Sequence, residues 1–387
     1  MRGHIRKRSK NSWSIVIDLA VGSDGKRRQK WITRKGTKKD AEKKLTEILR
    51  ELDGGTFVEP HKLTVGAYLQ HWLNTCASQN VAPTTFFRYQ DICLDHLTPA
   101  FDTVELVKLH PMLIQDYYSQ ALRDGRLDGK GGLAAKTIHQ HHRVLQSALK
   151  QAIKWRLIAQ NPCDAIELPK IEHREMAALT EDATAALLDF ARRRSPRLYV
   201  PVLIAVTTGV RRGELLGFKW DDIDFDAATI AVRRSIEQTK DGLRFKEPKT
   251  KRSRRMIALP AITLNALRRH QMEQKKLRLR LGPIYQDNHL IFPKEEGSLW
   301  PPDSFSATFS KLVRRAGLQH IRLHDLRHTH ATMLLGRGVN AKVVSERLGH
   351  SSVAFTLDVY GHVLKGMQED AAIKINEAFQ ATINNGR

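Results

Sequence analysis

The sequence predicts a multidomain α+β protein. It has a small N-terminal sheet-plus-helix domain, an all-helical middle domain, and a mixed, mainly helical C-terminal domain holding a small antiparallel sheet. Three observations carry this. The first segment switches its apolar period from two to 3.6 within a short span. The middle of the chain shows only helical periodicity. The last and longest part places strand-like runs, joined by turn signals, between apolar helices. A chain of 387 residues has room for two or three such cores.

In the first segment, SWSIVIDLA alternates Trp13, Ile15, Ile17 and Leu19 on one face, as a half-buried strand does. The turn signal GSDG and the basic strand KRRQKWI follow. In TKKDAEKKLTEILRELDGG, Thr37 caps a helix with a stripe of Ala41, Leu45, Ile48, Leu49 and Leu52, and Gly54 stops it. Arg27, Arg28 and Lys30 either face a DNA groove or form a solvated strand face, and local sequence favours neither.

From about residue 64 to 168 the pattern is helical throughout. Thr64 starts a helix running to Trp72, and Pro83 starts a second through TTFFRYQDICLDHL. HPMLIQDYYSQALRDG is the third, and GKGG breaks the chain. The fourth runs from Ala134 to about Ala159, with Ile138, Leu145, Leu149, Ala152 and Ile153 on one side and Asn161 and Pro162 ending it. The tract HQHHR, residues 139 to 143, lacks a carboxylate or cysteine to complete a metal site. Its histidines are therefore read as facing solvent or phosphate.

A linker, ELPKIEHREMAAL, leads into the last segment. Thr180 with Glu181 and Asp182 opens one helix, and the apolar LYVPVLIAVTTG forms the next, ending at Gly209. TIAVRRSI, GLRFKEP and RRMIALP then read as a three-stranded antiparallel sheet, and the chain is mostly helical from Ala261 onward.

Formal charge is +23, spread along the whole length, a field that attracts polyanions and above all nucleic acid. The start MRGHIRKRSK has no apolar signal-peptide core, and no apolar run approaches the ~20 residues of a spanning helix. Three cysteines without close spacing, Cys76, Cys93 and Cys163, suit packing roles in a reducing cytoplasm better than a disulfide framework or zinc ribbon.

The chemistry concentrates in RLHDLRHTHATMLLGRGVNAKVVSERLGHSSVAFTLDVYGHV. His324 and Arg327 lie one helical turn apart, His350 follows, and Tyr360 precedes a glycine. In TTGVRRGELLGFKWDDIDF, Arg211 follows a helix-ending glycine, with Glu214 three residues on to hold it. Two guanidiniums and an imidazole together stabilise the added negative charge of a pentacoordinate phosphorus. A phenol with an ordinary pKa of about 10 is a poor nucleophile, so Tyr360 needs a proton acceptor or a cationic field that lowers it. His324 and His350 are the available acid/base groups, and the arginines are expected to pull the phenol down. In KEPKTKRSRR, Lys246, Lys249 and Lys251 are candidates to protonate a departing 5′-hydroxyl. No phosphate-cradling glycine loop and no carboxylate cluster for Mg²⁺ stands out, while the HTH of His328 to His330, with His324 and His328 four residues apart, leaves zinc open at this point.

Taken together, TGVRRGELLG, PKTK, HDLRH, LGHSS and DVYGH, in this order and spacing, closely resemble the tyrosine recombinase (phage integrase) family. The resemblance covers nearly the whole chain. It implies residues 1–58 as an arm-site DNA-binding domain with a three-stranded sheet plus helix, as in integrases of phages and conjugative transposons. Residues 62–168 become a helical core-site DNA-binding domain, and residues 175–387 the catalytic domain with its C-terminal helix. It implies Arg211, His324 and Arg327 as phosphate activators with His350 assisting, at a position that is tryptophan in some members. It makes Lys249 the general acid and Tyr360 the nucleophile that forms a 3′-phosphotyrosyl bond. The expected reaction is site-specific recombination through a Holliday junction, with neither cofactor nor metal. The expected partners are double-stranded DNA at core and arm sites, three further copies of the chain in a homotetramer, and DNA-bending or excision accessory proteins. No membrane is involved. A type IB topoisomerase-like enzyme and a non-catalytic DNA-binding regulator of the same fold are the alternatives. The run DAAIKINEAF packs either in its own domain or onto a neighbouring protomer.

Overall fold

A computed structural model describes residues 3–19, 28–53, 62–172, 178–247, 254–361, 372–373, 375–377 and 379–380. The chain divides into two compact units, Met1–Glu172 and His173–Arg387.

The first unit begins with an antiparallel sheet of β1 (Gly3–Ser9), β2 (Ser12–Leu19) and β3 (Arg28–Lys35), in that order, followed by α1 (Lys38–Asp53). Thr37 caps α1 reciprocally: its backbone N–H and hydroxyl donate to Asp40 at 2.8 Å, and Asp40 N–H donates back to Oγ1. Ile15 and Ile17 meet Ala41 and Ile48 of the helix in a small core. Val16, on the opposite face, is also buried, because it sits centrally between His4 and Trp31 of the flanking strands. Register also places the basic residues. Lys30 pairs with Ile17 and so lies in register with the helix-facing side, whereas His4, Arg6 and Arg8 of β1 share the other face with Trp31 and Thr33. Arg27, the GSDG turn and Gly54 fall outside the described residues.

The helical part contains α2 (Val65–Trp72), capped by Thr64 and prolonged through a wider π turn, Leu73–Ala77, to Asn80. In the same way α3 (Pro83–Ile92) continues through Cys93–Leu97 to Phe101. With α4 (Pro111–Asp124) and α5 (Ala135–Lys154) they enclose a core that includes Tyr68, Leu97, Ile114, Tyr118, Ile138 and Leu149. Cys93 and Cys163 are buried within it, and no disulfide is present among the described residues. Two expectations need correction. The helix α5 ends at Lys154, not near Ala159, because Arg156 turns left-handed (φ 56°) and Leu157 N–H closes onto Ala152 O at 2.9 Å. Asn161 instead caps the short turn Pro162–Ala165. Two of the three HQHHR histidines are not solvent-facing: His141 and His142 are buried and hydrogen-bond the hydroxyls of Tyr117 and Tyr118 at 2.8 and 3.2 Å.

In the second unit, α6 (Glu181–Arg194), capped by Thr180, packs on the apolar α7 (Pro196–Thr208). After α8 (Arg212–Gly217) come five short strands: β4 (Ile223–Asp224), β5 (Thr229–Val232), β6 (Ser235–Thr239), β7 (Gly242–Lys246) and β8 (Arg255–Ala258). They form not one sheet but two, ordered β4-β5-β8 and β6-β7. The run TIAVRRSI breaks at Arg233 and Arg234, which turn toward the buried carboxylate of Asp222. A buried acid near paired cations overrides the strand pattern. The helices α9 (Ala261–Leu281), α10 (Pro302–Arg315), α11 (Asp325–Gly336), α12 (Ala341–Leu348) and α13 (Val353–Tyr360) complete the unit. Among the described residues no helix is long and apolar enough to cross a membrane.

Candidate active site

Two glycines shape the site. Gly209 ends α7 at φ 65°, and a Cβ there would come within 2.6 Å of the side chains of His330 and Leu348. Gly349 ends α12 at φ 67°, where a Cβ would meet Arg255 at 2.9 Å. Both turns aim carbonyls inward. Gly209 O accepts from Arg327 Nη1 at 2.7 Å, and Gly349 O from Arg211 Nη2 at 3.0 Å.

Arg211 stands at the N-terminus of α8. Its backbone N–H donates to Glu214 Oε2 and its Nη1 to Oε1, both at 2.9 Å. Glu214 is buried and also receives Arg255 Nη2 at 2.8 Å, while Arg255 Nε donates to Arg347 O at 2.6 Å. Burial pushes the Glu214 carboxyl up, but the hydrogen bonds and charges of Arg255 and Arg211 outweigh it and hold the group below the usual carboxylate range. One carboxylate thus fixes two guanidiniums.

The helix α11 supplies the second cluster. His324 precedes its first turn, where Asp325 is buried and accepts both the backbone N–H and the guanidinium of Arg322. Arg327 is buried, and burial together with the charges of Arg211 and Arg255 draws it down to about 9, so it still carries its proton at neutral pH. Burial, reinforced by Arg327, also lowers His324.

The third cluster follows the Gly349 turn. His350 Nδ1 meets Thr356 Oγ1 at 2.9 Å, with the Phe355 ring edge-on to the imidazole. Burial, then the charges of Arg327 and Arg211, lower His350 to about 3, so the ring is neutral. Tyr360 ends α13 inside a small apolar cluster with Ala331, Leu335, Val344 and Leu348. Its hydroxyl lies 2.6 Å from His328 Nδ1. The expected cationic depression of the phenol is overturned. Burial raises Tyr360 to about 12, and the opposing pull of Arg327 is smaller.

The structure therefore gathers Arg211, His324, Arg327, His350 and Tyr360 from four stretches of chain into one region. Lys249 and Lys251 lie outside the described residues. Lys246 is engaged elsewhere, 2.6 Å from Glu237 on the neighbouring strand. Sequence reasoning missed Arg255 and the partner of Tyr360, His328. The visible signal for His328 was its position one turn beyond His324 and one residue beyond Arg327. Chemically, guanidiniums held in this way can bind a tetrahedral anion and stabilise negative charge that develops on it.

Residues 177–367 match the phage integrase family, and residues 64–122 match the N-terminal SAM-like domain of phage integrases. The chain belongs to the phage integrase family. This integrase-family chain is 29% identical to a tyrosine recombinase XerC-like protein of Caldanaerobacter subterraneus, covering 96% of this chain and 98% of that protein. It is 24% identical to the ICEBs1 integrase of Bacillus subtilis, covering 93% and 96%. Its fold is similar to that of the Tn1549 transposon integrase in complex with a circular intermediate DNA, with TM-score 0.66, 21% identity and coverage of 77% and 95%. The lambda integrase dimer bound to a core site aligns over 92% of this chain and 94% of that one, with TM-score 0.57 and 18% identity. The integrase fold thus accounts for a multidomain, mainly helical chain with small antiparallel sheets.

Proposed function

We propose that this integrase recombines DNA at specific sites of a mobile element by direct transesterification. Tyr360 attacks a phosphodiester, leaving a 3′-phosphotyrosyl bond and a free 5′-hydroxyl. That hydroxyl then attacks the phosphotyrosine of a partner strand, passing through a Holliday junction. The observation that supports this reading most is the convergence of Arg211 and Arg327, each held by an inward carbonyl, with the charge of Arg211 bearing on Arg327 and that of Arg327 on Tyr360.

Each residue has a distinct role. The fork of Arg211, fixed by Glu214, and the buried Arg327 bind the two non-bridging oxygens and stabilise the charge that builds at phosphorus. His324 and His350, both neutral, donate hydrogen bonds to those oxygens without adding charge. Lys249 protonates the departing 5′-oxygen. Because the broken bond is stored as an ester of similar energy, the residues need neither nucleotide hydrolysis nor a metal to reseal it.

Residues 1–58 bind arm sites, with the His4, Arg6, Arg8 and Trp31 face of the sheet turned to DNA. Residues 62–168 bind core sites. Residues 175–387 carry catalysis, and four copies assemble on paired sites, joined by accessory DNA-bending proteins. The reaction takes place in the cytoplasm. The test is a nicked suicide substrate carrying a core site. Wild-type protein should form a covalent adduct stable to denaturant, and Tyr360→Phe should bind the DNA with unchanged affinity and form none. Equal adduct from the variant overturns Tyr360 as nucleophile. Binding without any wild-type adduct favours a non-catalytic regulator, and relaxation of supercoils without strand exchange favours a topoisomerase.

A further inference from the structure

Tyr360 is buried and its hydroxyl lies 2.6 Å from His328 Nδ1, its one close polar neighbour among the described residues. This imidazole is itself buried, on α11 directly after Arg327, and His324 stands edge-on to it with ring centroids 5.1 Å apart. A histidine packed into a helix for shape alone does not need its ring nitrogen on the nucleophile of another helix. We propose that His328 is the proton acceptor for Tyr360 in strand cleavage and returns that proton in resealing. This rests on the recombinase reading above.

In the step, the phenol proton passes to His328 Nδ1, which accepts it from the tautomer carrying hydrogen on Nε2. The Tyr360 oxygen forms its bond to phosphorus, and the bond from phosphorus to the 5′-oxygen breaks, that oxygen taking a proton from the general acid. In resealing the 5′-hydroxyl returns its proton to the general acid as its oxygen attacks phosphorus, the phosphorus–tyrosine bond breaks, and His328 restores the proton to the phenol. Charge and protons balance in both directions.

The surroundings fit a base that is empty at rest. Among the described residues, the groups facing His328 are His324, Asp325, Arg322 and Arg327 on or beside its helix, with His350 and Tyr360 from the elements packed against it. Burial, then His324, lower it to about 4, so it is free of a proton at neutral pH and open to receive one. Phosphate arriving at Arg327 adds negative charge beside the ring and favours its protonated form. At the same moment the phenol oxygen, as it bonds to phosphorus, loses its affinity for the proton. Transfer is therefore tied to attack rather than preceding it.

The discriminating variant is His328→Asn, whose amide oxygen can still accept the tyrosine hydroxyl but cannot take up a proton. It is compared with His328→Ala and wild type on a suicide substrate with an ordinary 5′-oxygen and on one with a 5′-bridging sulfur, a leaving group that needs no proton. Melting temperature and DNA affinity are recorded for each protein. Both variants should cleave either substrate about a hundredfold more slowly than wild type. The Asn variant should regain rate with rising pH between 7 and 9, where wild type is flat. Wild-type cleavage by His328→Asn alongside a slow His328→Ala would overturn the proposal and reduce His328 to a positioning residue. So would wild-type rates from both, or rescue by the sulfur substrate, which would move the role to the leaving group. Failure of wild type itself to form an adduct would instead reject the recombinase reading.

Discussion

Arg255 and Glu214 form a buried ion pair, 2.8 Å apart with each side chain 7% exposed, that ties β8 to the turn carrying Arg211. A carboxylate taken out of water is stable here only because two guanidiniums share it, and removing it strands both. Glu214→Ala should lower stability by roughly 3–5 kcal/mol in urea unfolding followed by tryptophan fluorescence. Glu214→Gln, which keeps the volume, should lose less stability yet still slow adduct formation, because Arg211 would no longer be fixed in place. Unchanged unfolding of the Ala variant would show that the pair is not needed for the fold.

Arg327 is expected to be intolerant of a charge-conserving change. Lysine at this position offers a point charge instead of a fork and cannot both reach Gly209 O and grip phosphate. Arg327→Lys should leave DNA affinity within twofold or so and reduce single-turnover adduct formation by about a hundredfold or more. Equal rates from the two proteins would remove Arg327 from the clamp.

Buried imidazoles make stability depend on acidity well above the carboxylate range. His141 and His330, both nearly inaccessible, are lowered by burial from 6.5 to about 4. The unfolded chain therefore binds these protons first as pH falls. Their contribution is fully present above pH 6.5 and drains away between 6.5 and 4, at up to about 1.4 kcal/mol per pH unit for each. Melting temperature measured from pH 7.5 to 4.5 should fall across that window. His330→Asn, whose amide can still donate to Val206 O, should flatten the fall in the second unit.

The N-terminal sheet offers a further test. Arg6 sits 5.5 Å over the Trp31 ring, and Arg8 donates to Thr33 at 2.8 Å, so cations and an aromatic share one exposed face. Replacing Arg6 and Arg8 with Ala should weaken binding to arm-type DNA at least tenfold at fixed salt, and lessen the salt dependence by about two phosphate contacts. Core-site binding should be unaffected. A Lys30→Ala protein, altered on the helix-facing register, serves as the comparison. Identical losses from the two would show that register does not decide which cations meet DNA.

How much of this was legible in the sequence depends on the range of the forces involved. The caps at Thr37, Thr64 and Thr180 and the left-handed stop at Gly209 act within one turn, and local pattern is enough to place them. The end of α5 was misplaced because an arginine, Arg156, takes the left-handed position that glycine usually marks. The sheet of the second unit was misread because Asp222, distant from the strand pattern, draws Arg233 and Arg234 out of register. In the site, the residue types and spacing pointed to Arg211, His324, Arg327, His350 and Tyr360. What spacing does not encode is which hydroxyl meets which imidazole. His328 and Arg255 enter only through contacts spanning 32 and 41 residues of chain. The burial of the phenol escaped for the same reason, since a charge can be counted in a sequence and a desolvated pocket cannot.

The shared carboxylate of Glu214 has a consequence for which state of the substrate the site prefers. Among the described residues, Arg211, Arg255 and Arg327 bring three positive charges and Glu214 removes one, while His324, His328 and His350 are neutral. The remainder is two. A phosphodiester at rest carries a single negative charge, and attack with transfer of the phenol proton to His328 turns it into a doubly charged phosphorane beside a newly positive imidazole. The positive charge of the site therefore grows together with the negative charge at phosphorus, and its grip is stronger on the species halfway through exchange than on the unreacted strand.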